Sequence, residues 1–461
     1  RDRSVSRGLG DVYKRQPQFL IAAPTSGSGK TTISRGLMAL LVKKGLKVQP
    51  FKCGPDYIDT KYHSAICGRS SINLDTFMAS RGHVRQLYAR YASDADVCVV
   101  EGMMGMYDGY DRDKGSSAEI AALLHLPVVL VVNAQSAAYS MAPLLSGFMH
   151  FRPDVHIAGV IFNRVGSPRH YEMLREVCED LQLTCLGYLP KEKILEQDSR
   201  YLGLDFSKQE TAETTPRLID LIDRYIDWKH LLKISSLPLP EEISGNNGKV
   251  PCLQPSGKCN ITVARNEESF SFLYAEHLDI LHSMGTVTFF NPEDNQPLPV
   301  GIDFLYLPGG YPEKHVEKLS QATRALTSIR EYIEAGGRVL AECGGMMYLS
   351  QGICFDDLSQ SSGVFRHTVQ ALPFSISNQK QHRKLSLGYR QFDYNGVSLR
   401  GHEFHYTQFL RTEGQPIPTS IVQVYNAKGQ PVDTPVFRYK NVIASYTHLY
   451  WGEINLMELF Q

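Results

Sequence analysis

Net charge is the first thing missing from this chain. Lys and Arg together number 48 among 461 residues, and so do Asp and Glu. A balanced chain offers no broad cationic footprint to a phosphate backbone, so nucleic acid is not an expected partner. Long apolar runs are also missing. The longest, Leu126 to Val132, is broken by Pro127 and reads as a buried strand. It falls far short of the roughly 20 residues of a membrane span, so no membrane segment is expected. There are nine cysteines, irregularly spaced and with no CxxC pair. That excludes a disulfide framework and a zinc cluster and fits a reducing cytoplasm, with most thiols acting as small core groups. No internal repeat is visible.

An initiator methionine is lacking too. The opening string from Arg1 to Gln16, RDRSVSRGLGDVYKRQ, resembles a translated sequencing adapter and is set aside from fold reasoning as non-native. The native chain is expected to start a residue or several before Pro17.

The remainder is too long for one core, so two or three domains are expected. After Gln16 the pattern alternates. Phe19–Ala23 reads as a strand, and apolar Ile33, Leu37, Leu40 and Leu41 fall at helical spacing until Gly45. Strand-like runs follow at Val48–Lys52, Val97–Glu101, Val128–Asn133 and Ile157–Asn163, with helical stretches between them. Repeated strand–helix units predict a doubly wound parallel sheet over residues 17–234, with ligands at the carboxyl ends of its strands. Residues 235–258 lack either period and read as a linker. A second alternating region, 259–461, runs through Ile261–Ala264, Phe304–Leu307 and Arg338–Ala341, and turns β-rich at Ile421–Tyr425 and Val436–Tyr439.

Two motifs stand at strand ends. Thr25-Ser26-Gly27-Ser28-Gly29-Lys30-Thr31-Thr32 is a phosphate loop, although Pro24 replaces its usual first glycine. In such a loop, Gly27 and Gly29 let backbone N–H groups face phosphates at a helix N-terminus. Lys30 reaches the β/γ-phosphates, and the Thr31 hydroxyl binds Mg²⁺. Two acidic segments end the next strands, Lys52-Cys53-Gly54-Pro55-Asp56-Tyr57-Ile58-Asp59 and Glu101-Gly102-Met103-Met104-Gly105-Met106-Tyr107-Asp108. Acids there suit metal-assisted phosphoryl transfer, although an isolated Asp in such a place equally reads as a turn cap.

The other motif is Ala341-Glu342-Cys343-Gly344-Gly345, after an apolar run. A strand, a sharp turn and a helix would present the Cys343 sulfur at a helix N-terminus, which is expected to lower its pKa. Upstream, Leu307-Pro308-Gly309-Gly310-Tyr311 can offer the Gly310 N–H to an oxyanion, joined by that of Gly344. Of several late histidines, His448 follows an apolar strand.

These segments together resemble the cobyrinic acid a,c-diamide synthase family. The first half is similar to dethiobiotin synthetase, and the second to class I glutamine amidotransferase domains of the cobyrinate/cobyric acid type. The second match rests on Val263-Ala264-Arg265, Pro308–Tyr311, Glu342–Gly345, Gly401–Tyr406 and Ser445–His448. The resemblance implies ATP, glutamine and a corrinoid as substrates and Mg²⁺ as cofactor. Thr31, Asp56 and Glu101 are implied as its ligands, and Lys30, Lys52 and Thr32 as nucleotide contacts. Asp56, Tyr57, Ile58, Asp59 and Asp108 are implied to orient the substrate and its phosphorylated intermediate. Asn163 is implied to read adenine beside Leu189-Pro190, with Cys343 as nucleophile and His448 as general base. The signature lysine of the related partition ATPases is replaced by Thr25, against a nucleotide-dependent switch.

Two departures stand out. His448-Leu449-Tyr450 lacks the acid of the usual His-x-Glu, and Asn266 stands where the family has Asp. The pair His402 and His405 reads as structural rather than metal-binding. Cobyrinate, hydrogenobyrinate and nickel-sirohydrochlorin all remain open as the tetrapyrrole, as does a homodimer.

Overall fold

The computed structural model describes residues 15–192, 208–239, 259–356, 363–410 and 417–461. Residues 1–14 and most of the expected linker lie outside the described residues. The chain divides into two compact units, Arg1–Asp75 with Arg81–Ser244, and Thr76–Ser80 with Gly245–Gln461.

In the first unit, strands and helices alternate: β1 (Arg15–Ala22), α1 (Lys30–Lys43), β2 (Val48–Cys53), α2 (Asp59–Cys67), β3 (Ile72–Leu74), α3 (Arg81–Ala92), β4 (Val97–Glu101), α4 (Ser117–Leu124), β5 (Val128–Asn133), α5 (Met141–His150), β6 (Ile157–Val165), α6 (Pro168–Asp180) and β7 (Cys185–Pro190). Helices α7 (Lys208–Tyr225) and α8 (Trp228–Ile234) and strand β8 (Ser236–Pro238) complete it. The sheet order is β3-β2-β4-β1-β5-β6-β7, every neighbour parallel, with β8 antiparallel on β1. The doubly wound expectation therefore holds. Ile33, Leu37, Leu40 and Leu41 of α1 pack with Phe19 and Ile21 of β1 and Val97 and Val99 of β4 in one core.

Two boundaries differ from the sequence reading. Strand β1 starts at Arg15, taking in two residues set aside as adapter-like, because Arg15–Pro17 pair with Ser236–Pro238. The same pairing turns the beginning of the expected linker into a strand. Backbone partners supplied from over 200 residues away are invisible to local periodicity.

The second unit has β9 (Cys259–Ala264), α9 (Ala275–Met284), β10 (Gly285–Phe290), β11 (Phe304–Leu307), α10 (Val316–Gln321), α11 (Thr323–Glu334), β12 (Arg338–Glu342) and α12 (Gly344–Leu349). The short strands β13 (Gly352–Phe355), β14 (Val364–His367) and β15 (Ser375–Ser377) precede the long hairpin β16 (Ser386–Tyr394) and β17 (Val397–His405). Then come β18 (Gln408–Leu410), β19 (Val424–Asn426), β20 (Pro431–Val432), β21 (Val436–Tyr439), β22 (Val442–Ser445) and β23 (His448–Tyr450). The main sheet runs β10-β9-β11-β12-β22-β21, parallel except at β21. A four-stranded sheet, β14-β13-β15-β18, and a five-stranded one, β20-β19-β16-β17-β23, make up the β-rich remainder. The strand expected at Ile421–Tyr425 forms only from Val424 onward.

Candidate active site

Each unit presents a site at the carboxyl end of its parallel strands. In the first, the chain leaves β1 through the phosphate loop. Gly29 caps α1 at φ 102°, a left-handed conformation open to glycine. Behind it, the sheet register places Lys52 of β2 and Ile21 of β1 on either side of Glu101 of β4. Glu101 is fully buried. Its Oε1 accepts from the Thr31 hydroxyl at 2.7 Å and from Lys52 at 3.3 Å. Its Oε2 lies 2.8 Å from His63 Nε2. Lys52 also meets Asp59 at 3.1 Å and the Gly102 carbonyl at 3.0 Å. The Lys30 ammonium donates to the Met104 carbonyl at 2.5 Å.

These contacts set the charges. Burial works to raise the Glu101 carboxyl, but Lys52, His63 and Thr31 outweigh it and hold it below its ordinary range. Burial works to lower Lys52, and Glu101, Asp59 and Asp56 together push it above its ordinary value. Burial, then Asp56 and Glu101, raise Asp59 to about 7. Burial and the neighbouring Lys52 lower Lys30.

The remaining predicted residues divide. Asp56 Oδ1 accepts from the backbone N–H groups of Ile58 and Asp59, both at 2.8 Å, so it shapes the entry to α2 while its Oδ2 stays 4.0 Å from Lys52. Asp108 Oδ2 accepts from Gly105 N–H at 3.0 Å and closes its own turn. Tyr57 is buried and Ile58 half-buried ahead of α2, and Thr32 lies half-buried in the first turn of α1. Asn163 Nδ2 donates to the Ser28 carbonyl at 2.9 Å, and its Oδ1 accepts from Arg164 N–H. A Cβ on Gly29 would sit 2.0 Å from that same Nδ2. Here Asn163 braces the phosphate loop through backbone hydrogen bonds. Sequence reasoning missed His63. The signal was its position four residues after Asp59, on the same face of α2.

Among the described residues, no group of three or more His, Cys, Asp or Glu is poised to hold a metal by itself. Mg²⁺ does not need one, because it takes one or two protein oxygens and completes its shell with phosphates and water. The adjacent Thr31 hydroxyl and Glu101 carboxylate fit that requirement.

In the second unit, β12 ends in a sharp elbow. Cys343 caps α12 at φ 47° and ψ −105°, a strained conformation for a side-chain-bearing residue. Its N–H is held by the Ser445 carbonyl at 2.7 Å. A Cβ on Gly344 would lie 3.0 Å from the Gly310 nitrogen, and one on Gly310 would strike the Ser269 carbonyl oxygen at 2.3 Å. The backbones of Gly310 and Gly344 thus run close together at the elbow. His448, 1% exposed, opens β23. A Cβ on Gly309 would come within 2.1 Å of its Cε1. Phe272 packs against the ring at 5.7 Å between centroids.

Residue 266 belongs to the same corner. The Asn266 amide donates to Glu293 at 2.9 Å and accepts from the backbone of Glu268 and Phe270. An Asp carboxylate could not supply the donor. Glu403 accepts from Arg390 and Thr434, both at 2.5 Å, and meets His405 Nε2 at 2.7 Å. His405 stacks on Tyr446 at 3.6 Å. His405 is thus built into hydrogen-bonded and stacked packing, while His402 meets the Tyr389 ring edge-on at 5.8 Å between centroids.

Comparisons with known proteins give the same division. Residues 260–455 match a family described as CobB/CobQ-like glutamine amidotransferase domain. Residues 19–203 match the CobQ/CobB/MinD/ParA nucleotide binding domain. A cobyrinate a,c-diamide synthase from Caldanaerobacter subterraneus subsp. tengcongensis is 39% identical over 94% of this chain and 94% of its own. A hydrogenobyrinate a,c-diamide synthase from Brucella anthropi is 39% identical over 94% of this chain and 98% of its own. A cobyrinate a,c-diamide synthase from Priestia megaterium is 36% identical over 95% of each chain.

The chain belongs to the a,c-diamide synthase family. It is therefore an amide-forming ligase of the glutamine amidotransferase type.

Within this a,c-diamide synthase, one expectation is corrected. The thiol of Cys343 is pushed well above its ordinary value, not lowered. Burial is the main cause and nearby Glu313 adds to it, while the Gly344 N–H at the helix start opposes them too weakly. Burial, then His402 and His405, lower the His448 imidazole to about 3. At rest the thiol and the imidazole are each neutral.

Proposed function

We propose that this a,c-diamide synthase amidates the a and c acetate carboxylates of cobyrinate, using ATP and glutamine, in the cytoplasm. The observation that supports the glutaminase half is the strained Cys343 elbow close to Gly310 and Gly344, with His448 against Gly309. As the sulfur bonds to the side-chain carbonyl carbon of glutamine, His448 takes the thiol proton. The carbonyl oxygen gains negative charge beside the Gly310 and Gly344 N–H groups. His448 returns the proton to the leaving ammonia, and water hydrolyses the thioester to glutamate.

In the first unit, a substrate carboxylate takes the γ-phosphoryl group of ATP, and ammonia displaces phosphate from the acyl phosphate. Lys30 and Lys52 hold phosphate charge. The Thr31 hydroxyl and Glu101, with Asp56 nearby, would hold Mg²⁺, which when bound neutralises charge on the phosphate oxygens. In this reading Asp59 and Asp108 orient the substrate carboxylate. Hydrogenobyrinate is the second reading, because relatives of both names match at the same identity.

The test supplies MgATP with glutamine or ammonium and follows acid-to-amide conversion of cobyrinate, hydrogenobyrinate and nickel-sirohydrochlorin by mass spectrometry. Cys343→Ala should abolish glutamine-dependent turnover and spare ammonium-driven turnover. Lys30→Ala should abolish both. A folded Cys343→Ala protein that still releases glutamate from glutamine overturns the nucleophile assignment.

A further inference from the structure

The base strand β23 carries no acid after His448, so something else must set the imidazole against the nucleophile. We propose that Glu342, the residue before Cys343, is that positioning residue, acting on the backbone of β23 rather than on the ring; this rests on the reading of Cys343 and His448 above.

Side-chain alternation along β12 makes the placement possible. Val339, Ala341 and Cys343 join one core cluster, whereas Leu340 faces the other with Tyr306 and Leu449. Glu342 follows Leu340 onto that second face. There it is 2% exposed. Its Oε1 accepts from the backbone N–H of Leu449 at 3.1 Å. Its Oε2 accepts from the Tyr306 hydroxyl at 2.7 Å. Tyr306 belongs to β11, the strand leading to Gly309 and Gly310, so one carboxyl group ties together the strands that deliver the nucleophile, the oxyanion glycines and the base.

The arrangement answers a geometric need. β12 lies in the six-stranded sheet and β23 in the five-stranded one. The β12–β22 ladder ends at Glu342–Ser445, before the chain crosses to β23, and the Glu342–Leu449 bond carries the link onto β23, one residue from each reacting side chain. Burial also pushes the Glu342 carboxyl up to about 8. A largely uncharged group at this place adds no full negative charge next to the forming thiolate and oxyanion.

The experiment compares Glu342→Gln with Glu342→Met in the full chain. Gln keeps an acceptor for the Leu449 N–H, and Met keeps length and bulk without one. Glutaminase kcat should fall roughly 100-fold in Glu342→Met, the scale of a misplacement near 1 Å. The glutamine KM should stay within about threefold and ammonium-driven turnover should be unchanged, because the loss is in alignment and not in binding. Glu342→Gln should restore kcat to within about fivefold of the parent. Wild-type kcat in Glu342→Met, or an equal loss in a folded Glu342→Gln, overturns the proposal. If Glu342→Met also loses ammonium-driven turnover, Glu342→Gln alone decides by the same criterion. Failure of the Cys343 assignment would look different, with glutaminase surviving in Cys343→Ala.

Discussion

Gly309 sits where a single methyl group should disable one reaction and leave the other intact. The residue is absent from the positive-φ glycines, so alanine is compatible with its backbone. The three atoms nearest a new Cβ all belong to the His448 ring, with Cε1 at 2.1 Å. Ordinary carbon–carbon contact is about 3.5 Å, so ring or loop must retreat by roughly 1.4 Å. Phe272 packs on the ring and His448 is 1% exposed, so little free space is available for that retreat. A shift of that size in a general base costs on the order of 100-fold in kcat, or about 2.7 kcal/mol of transition-state stabilisation. The assay is glutamate release from glutamine by Gly309→Ala, beside ammonium-driven amidation by the same preparation. Glutaminase kcat should drop about 100-fold while the ammonium-driven rate stays at the parent level. A Gly309→Ala enzyme retaining more than a third of parental glutaminase kcat would refute the claim that this contact positions His448.

Other consequences concern charge. Glu101→Gln leaves Lys52 buried with only the more exposed Asp56 and Asp59 as anionic partners, which should destabilise the first unit by about 3 kcal/mol. Thermal unfolding should show a fall of roughly 6–12 °C in the midpoint of that unit, and an unchanged midpoint would mean that the pair contributes no net stability. The His448 imidazole, lowered to about 3 from an ordinary 6.5, stays neutral and able to accept a proton in mildly acid solution. Glutaminase kcat/KM should therefore show no inflection near pH 6.5. Because the folded value lies below the unfolded one, the unfolded chain binds the extra proton, and the stability linked to His448 is lost as pH falls from 6.5 towards 3. An inflection near 6.5 in kcat/KM would contradict the burial argument. Alkylation of resting Cys343 by iodoacetamide should likewise keep accelerating above pH 9, and a thiolate plateau below pH 8 would show that the helix start outweighs burial.

Much of both sites was legible from local patterns. The glycine loop between a strand and a helix followed from spacing alone, and Lys30 opens the helix as expected. The elbow at Cys343 followed from an apolar strand running into two glycines, and its φ of 47° agrees with that reading. Other residues had a legible position but not a legible role. Asp56 and Asp108 form turn bonds of the kind weighed for them as isolated acids. Asn163 reaches across 135 residues to the phosphate loop. His63 gave no motif, because its meaning comes from a carboxylate 38 residues away.

By itself, then, the sequence determined the alternating parallel architecture of the first unit, the glycine loop and the cysteine elbow at strand ends, and the absence of an acid after His448. Those depend on neighbours within a few residues, where backbone geometry and side-chain spacing are set locally. The tertiary structure decided how Glu101 is shared among Thr31, Lys52 and His63, and that the resting thiol and imidazole are both neutral. It also decided that Glu342 links two sheets across 107 residues. Ionisation and alignment depend on burial and on partners brought together by long-range strand register, and no local pattern carries that information.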